Sequence, residues 1–117
     1  MSTKPTQVHP RFALTTTVVL REPSGTAVLA KLKNISLSGC YVETPRPIAT
    51  STRVRVVLQA VDIHADVWGL VQRRDADGLG IRFTHGATVE DWKRLESFIK
   101  ELDRAAPSQS SAASGTS

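Results

Sequence analysis

Asn34-Ile35-Ser36-Leu37-Ser38-Gly39 sets small polar side chains and a glycine between two runs of strand character, and the reading of the whole chain turns on it. Upstream, Ala27 to Lys33 read as a strand. Downstream, Cys40-Tyr41-Val42 resume an extended pattern, so the six residues fall on the connection between two strands. Asn and Ser can satisfy the backbone of such a turn, and Gly39 can supply a positive φ. A loop built this way offers amide, hydroxyl and backbone N–H groups to solvent, a set suited to an anionic or purine-bearing ligand. The same composition also describes a plain, well-made turn.

Strand signals continue on both sides of this loop. Leu14, Thr16, Val18 and Leu20 alternate with Thr15, Thr17, Val19 and Arg21, the period of a sheet with one buried face. Glu22-Pro23-Ser24-Gly25 supplies a turn, with proline fixing one φ and glycine accepting another. After Pro45-Arg46-Pro47, Val54, Val56 and Leu58 alternate with Arg53, Arg55, Val57 and Gln59, which places the arginines on a wet face. Val61 to Arg74 is a long extended stretch with Ile63, Ala65, Val67 and Val71 on one side and a bend expected at Gly69. Asp75-Ala76-Asp77-Gly78 reads as a hairpin turn, and Leu79 to Thr84 as the returning strand. Thr88 with Asp91 three residues on opens a helix, in which Val89, Trp92, Leu95, Phe98, Ile99 and Leu102 form one apolar face. The elements predict a mainly β fold: a small six-stranded antiparallel β-barrel with a C-terminal α-helix across its open edge or mouth.

Composition bounds what the chain does. Its 117 residues suit one domain, expected over residues 7–104 between a flexible arm, 1–6, and a disordered tail, 105–117, poor in large apolar side chains. No apolar run approaches the roughly twenty residues of a membrane span, and no signal-peptide core is present, so a soluble cytoplasmic protein is expected. Cys40 is the sole cysteine, which excludes an internal disulfide and a Cys-rich metal site and predicts a small buried side chain. A formal charge of +4 favours anionic partners without naming one.

Asn34-x-Ser36-x-x-Gly39, preceded by His9-Pro10-Arg11-Phe12 and followed by Gly78-Leu79-Gly80-Ile81-Arg82-Phe83 and one closing helix, resembles the PilZ domain family from about His9 to Leu102. The resemblance implies a small β-barrel that binds the bacterial second messenger cyclic dimeric GMP. The family's ligand signature pairs an Arg-x-x-x-Arg segment with an Asp/Asn-x-Ser-x-x-Gly segment. Here the second is intact, and the first has Gln7 where its first arginine would stand, with Arg11 as its second. The resemblance places Gln7, Arg11, Asn34, Ser36 and Gly39 in the ligand site, with Arg11 gripping phosphate or guanine over a floor formed by the others. Ser38 lies in the same loop outside the signature.

The chemistry of those residues fits such a ligand. Arginine offers a planar fork to a phosphodiester or to the guanine O6/N7 edge, and it also stacks on a base. Gln7 cannot supply a charge, and loss of one charge-assisted bidentate contact costs roughly a hundredfold in affinity. Lys4 offers a point charge. Arg73-Arg74 offers another source of charge, since alternation sends one of the pair to each face, and Arg74 is taken into the expected site.

The leading functional expectation is a non-catalytic bacterial signalling module that binds cyclic dimeric GMP and relays it to a protein partner by ordering the segment from Gln7 to Phe12. The alternative is a degenerate domain that binds no nucleotide and serves as a protein-interaction adaptor. Nucleic acid is disfavoured, because the stacking aromatics of nucleic-acid barrels are scarce. Asp62, His64 and Asp66 alternate onto one face in a row that could ligate a metal, but such a row more often forms a strand's wet side. Neither a metal nor a cofactor is expected, and with no nucleophile–base pair or phosphate loop, catalysis is not expected either. Trp68 falls opposite the apolar positions, where it either covers the helix or lines a partner surface.

Overall fold

Strand alternation survives almost intact in the computed structural model, which describes residues 10–45, 48–60 and 63–105. Six strands, β1 (Phe12–Arg21), β2 (Ala27–Ile35), β3 (Gly39–Glu43), β4 (Arg53–Ala60), β5 (Ile63–Arg74) and β6 (Gly78–Gly86), precede one helix, α1 (Val89–Ala105). They close into an antiparallel barrel in the order β1-β2-β3-β6-β5-β4. Full closure leaves no unpaired edge strand. The interior holds Val18, Leu20, Leu32, Val42, Val56, Val67, Leu79 and Ile81, each on the inward side of its strand. His9, Lys4, Asp62 and the tail from residue 106 lie outside the described residues, while Ala105, expected in the tail, ends the helix.

Local chemistry sets the connections. Gly25 carries a positive φ of 95° in the β1–β2 turn. In the β5–β6 turn, Asp75 Oδ1 accepts hydrogen bonds from the backbone amides of Asp77 at 2.9 Å and Gly78 at 2.8 Å. At the helix start, the Asp91 amide donates to Thr88 Oγ1 at 3.0 Å, and the Thr88 amide returns a bond to Asp91 Oδ2 at 3.1 Å. This reciprocal pair satisfies N-terminal donors that the helix itself cannot. Asp91 Oδ1 also accepts from the Asp66 amide at 3.1 Å, tying the helix start to β5.

The helix packs on β5 and β6, and Leu95, Phe98 and Ile99 join the barrel interior in one continuous core. Val89, expected on that apolar face, is instead 70% exposed. The first turn is held by the Asp91 bond to the β5 backbone, so the buried stripe begins one turn later. Val57, expected on the wet face of β4, is buried between its cross-strand neighbours Val19 and Asp66. Leu95 is fully buried, and Leu95→Ala is expected to cost roughly 2–5 kcal/mol. A urea midpoint that falls with an unchanged slope would show this; an unmoved midpoint would mean that the helix contributes little to the core.

Candidate functional site

Two β-bulges decide which side chains face outward near the Asn34–Gly39 segment. In β2, Val28, Ala30 and Leu32 point inward, and strict alternation would turn Asn34 inward as well. The register with β3 shifts between Leu32 and Asn34, so Ile35 takes the inward position and Asn34 stays partly exposed. The connection is therefore shorter than expected: Asn34 and Ile35 belong to β2, Gly39 opens β3, and Ser36-Leu37-Ser38 makes the turn.

Within that turn the Ser36 amide donates to the Gly39 carbonyl at 2.8 Å. Ser36 is fully buried, and its hydroxyl lies 2.9 Å from Ser38 Oγ and accepts from the Ser38 amide at 3.2 Å. Ser36 thus organises the loop from inside, while Ser38 reaches the surface. Gly39 does not take the positive φ expected of it, since among the described residues Gly25 is the only glycine that does. Its requirement is close approach: a Cβ there would stand 2.2 Å from the Ile81 carbonyl oxygen across the β3–β6 pair.

Arg11, just before β1, meets this loop directly. Its Nη1 donates to Asn34 Oδ1 at 2.8 Å, joining the two segments singled out in the sequence on one outer face. Cys40 lies beneath and is buried. Burial pushes its thiol up to about 12 while the Arg11 charge pulls the other way, so it stays protonated and unreactive at neutral pH. Gln7 lies outside the described residues.

A cleft of about 300 Å³ adjoins this face, lined by Arg11, Ser38, Gln72, Arg73, Gly80, Ile81 and Arg82. The second bulge sets its far wall. The β5–β6 register shifts between Val71 and Arg73, resetting the alternation so that Gln72 and Arg73 both line the cleft. Unbroken alternation would have put Arg74 beside Gln72, and Arg74 instead lies outside the lining, opposite Leu79. Arg82, outward on β6 opposite Gly39, was not singled out from sequence. Its outward place follows from the inward Leu79, Ile81 and Phe83 that flank it.

Tyr41 links this face to the β5–β6 turn, donating from its hydroxyl to Asp75 Oδ1 at 2.8 Å. That bond, together with desolvation and the nearby carboxylates, pushes the Tyr41 phenol up to about 12. The same bond and the Gly78 and Asp77 amides hold the Asp75 carboxyl below its ordinary range. Tyr41 is the sole tyrosine, so its ultraviolet titration is unambiguous. It is expected to ionise near pH 12 and, in Asp75→Ala, to return toward about 10. Because the folded pKa is raised, the bond stabilises the fold below the unfolded phenol's pKa and is lost as the pH rises through the folded one. An unchanged titration in the variant would contradict the assignment.

On the outer face of β4 two arginines have partners. Arg55 Nε lies 3.4 Å from Asp66 Oδ2, and the Arg53 guanidinium sits 4.3 Å from the Trp68 ring centroid. Trp68 therefore stands on the outer face under two arginines of β4. Among the described residues no group of His, Cys, Asp or Glu is placed to hold a metal ion, and no helix is long and apolar enough to cross a membrane.

No curated protein matches the sequence. Among solved structures, the PilZ domain of CeSA from a cellulose-synthesizing bacterium superposes with a TM-score of 0.66 at 14% identity, over 80% of this chain and 98% of that one. The MrkH–c-di-GMP complex of K. pneumonia superposes with a TM-score of 0.68 at 18% identity, over 88% of this chain. This chain spans 54% of MrkH. Borreliella burgdorferi PlzA in complex with c-di-GMP gives 0.57 at 13% identity, over 80% of this chain and 40% of PlzA. The PilZ domain family model matches residues 6–101, most of the described barrel and helix, and the chain belongs to the PilZ domain family.

Proposed function

We propose that the chain is a non-catalytic signalling module that binds cyclic di-GMP on the outer face carrying Arg11 and the Asn34–Gly39 turn, and relays occupancy to a protein partner. The observation that carries this reading is the 2.8 Å bond from Arg11 to Asn34, which brings a guanidinium to the motif turn from outside the barrel. Family membership supports the choice of ligand, as do two similar folds, MrkH and PlzA, each solved in complex with c-di-GMP. Arg11 stands immediately before β1. A ligand that exchanges the Asn34 contact for its own phosphate or guanine repositions Arg11 and so changes the surface offered to a partner at the start of β1.

Ligand linkage tests the reading. A ligand that binds only the folded state at one hundred times its dissociation constant stabilises by about 2.7 kcal/mol. For a domain of this size that is a rise of roughly 10 °C or more in the unfolding midpoint. The rise is expected with cyclic di-GMP and not with GMP. A second reading, an adaptor that binds no nucleotide, is favoured by Gln7 in place of the signature's first arginine, and it predicts no shift with either compound.

A further inference from the structure

From the two bulges and the cleft between them, we infer that Arg73 and Arg82 complete the anion cradle begun by Arg11, with Arg73 supplying the second guanidinium that the signature segment lacks at Gln7. This inference rests on the cyclic di-GMP reading above and extends its site to β5 and β6.

Register is the first argument. Asn34 pairs with Tyr41, Tyr41 with Gly80, and Gly80 with Arg73, so one transverse row runs across β2, β3, β6 and β5 on the outer face. The motif asparagine stands at one end of that row and Arg73 at the other. Of the two residues between them, Tyr41 reaches to Asp75 of the β5–β6 turn and Gly80 offers no side chain. A Cβ at Gly80 would stand 3.5 Å from Arg73 Nε and 3.7 Å from its Nη2, so the guanidinium of this exposed side chain lies over the β6 backbone. Arg82 sits in the neighbouring row, opposite Gly39 of the motif.

Charge is the second argument. Arg11, Arg73 and Arg82 line one cleft of about 300 Å³ with Ser38 and Gln72, and no carboxylate among the described residues lines it. Among the described residues none of these three arginines makes an ion pair, which is also true of Arg21, Arg53 and Arg74, whereas Arg55, Arg94 and Arg104 pair with Asp66, Asp91 and Glu101. What sets the three apart is that they share one cleft. Asp75 is near enough to feel the Arg73 charge, but its Oδ1 already accepts from Tyr41, Asp77 and Gly78. Three like charges around one concavity repel each other until an anion neutralises them. The available forks match a phosphodiester oxygen pair and the O6/N7 edge of a guanine, with the Ser38 hydroxyl and the Gln72 amide as uncharged donors. The cleft takes one phosphodiester with its neighbouring base, and the rest of the ligand lies on the open face toward Asn34.

Calorimetric titration of the full chain with cyclic di-GMP tests this, using the wild type, Arg73→Ala and Arg82→Ala. Each substitution is expected to weaken binding at least about tenfold, and the two together at least about a hundredfold, with the unfolding midpoint of the free protein unchanged. Wild-type affinity in Arg73→Ala and Arg82→Ala would overturn this inference and leave the Arg11–Asn34 site standing. Absence of binding by the wild type would overturn the cyclic di-GMP reading and this inference with it. Should Arg73→Ala lower the unfolding midpoint, Arg73→Lys decides, because it keeps the stem and the charge but loses the fork. Weaker binding at a wild-type midpoint supports the cradle, and wild-type binding overturns it.

Discussion

Arg11→Ala is expected to weaken cyclic di-GMP binding by about a hundredfold or more while leaving the fold's stability within about 0.5 kcal/mol of wild type. The two halves of that expectation have separate causes. Arg11 is exposed and its one side-chain hydrogen bond among the described residues goes to Asn34, so its removal leaves no buried group unsatisfied. A ligand phosphate or guanine edge, by contrast, loses a charged two-pronged donor that no neighbour on β1 replaces. Arg11→Lys separates charge from shape: the charge stays and the planar fork goes, so intermediate affinity is expected. Unchanged affinity in Arg11→Ala would remove Arg11 from the site and with it the reason for placing the ligand on this face.

Gly39→Ala is expected to damage the fold severely for a single carbon added. Its Cβ would stand 2.2 Å from the Ile81 carbonyl oxygen and 3.2 Å from the Arg82 Cα, both backbone atoms of β6. No side chain can swing away to make room. Relief requires β3 and β6 to part where Gly39 pairs with Arg82, which also disturbs the Phe83 amide's bond to the Ser38 carbonyl. A loss above about 3 kcal/mol is expected, seen as a fall of at least roughly 12 °C in the unfolding midpoint. Gly80→Ala is the control. There the nearest atom to a new Cβ is Arg73 Nε at 3.5 Å, an ordinary contact with a flexible side chain, and a change within about 0.5 kcal/mol is expected. A Gly39→Ala protein with a wild-type midpoint would show that the β3–β6 approach is looser than described.

What was legible in the sequence is what short-range chemistry decides. The barrel followed from alternation along Leu14–Leu20 and Leu79–Phe83, where inward and outward residues keep strict step, and along Val54–Leu58, where only Val57 departs from it. The Asp75–Gly78 turn and the Thr88–Asp91 cap were equally readable, because each closes its hydrogen bonds within four residues. Cys40 is the buried small side chain that its neighbours predicted.

The remainder depends on pairs of strands, and no single segment contains that information. A bulge exists only relative to a partner, so the outward turn of Asn34 and the choice of Arg73 over Arg74 for the cleft were invisible in either strand alone. Gly39 looked like a residue wanted for its φ and is one wanted for the nearness of β6, some forty positions away in the chain. Arg82's outward place follows from its own strand, but its position opposite the motif glycine exists only in the β3–β6 pairing. Ser36 and Ser38 exchange the prominence that their positions implied: the signature serine is buried in the turn, and its unsignalled neighbour lines the cleft.

Calorimetric titration of the wild-type chain with cyclic di-GMP, alongside GMP as the control, tests the central claim most directly. Saturable heat at micromolar or lower ligand concentration, absent with GMP, is the predicted result. No heat with cyclic di-GMP at ligand concentrations far above micromolar would contradict the account, and would leave the Arg11–Asn34 contact and the Ser36–Gly39 turn as architecture serving a protein partner.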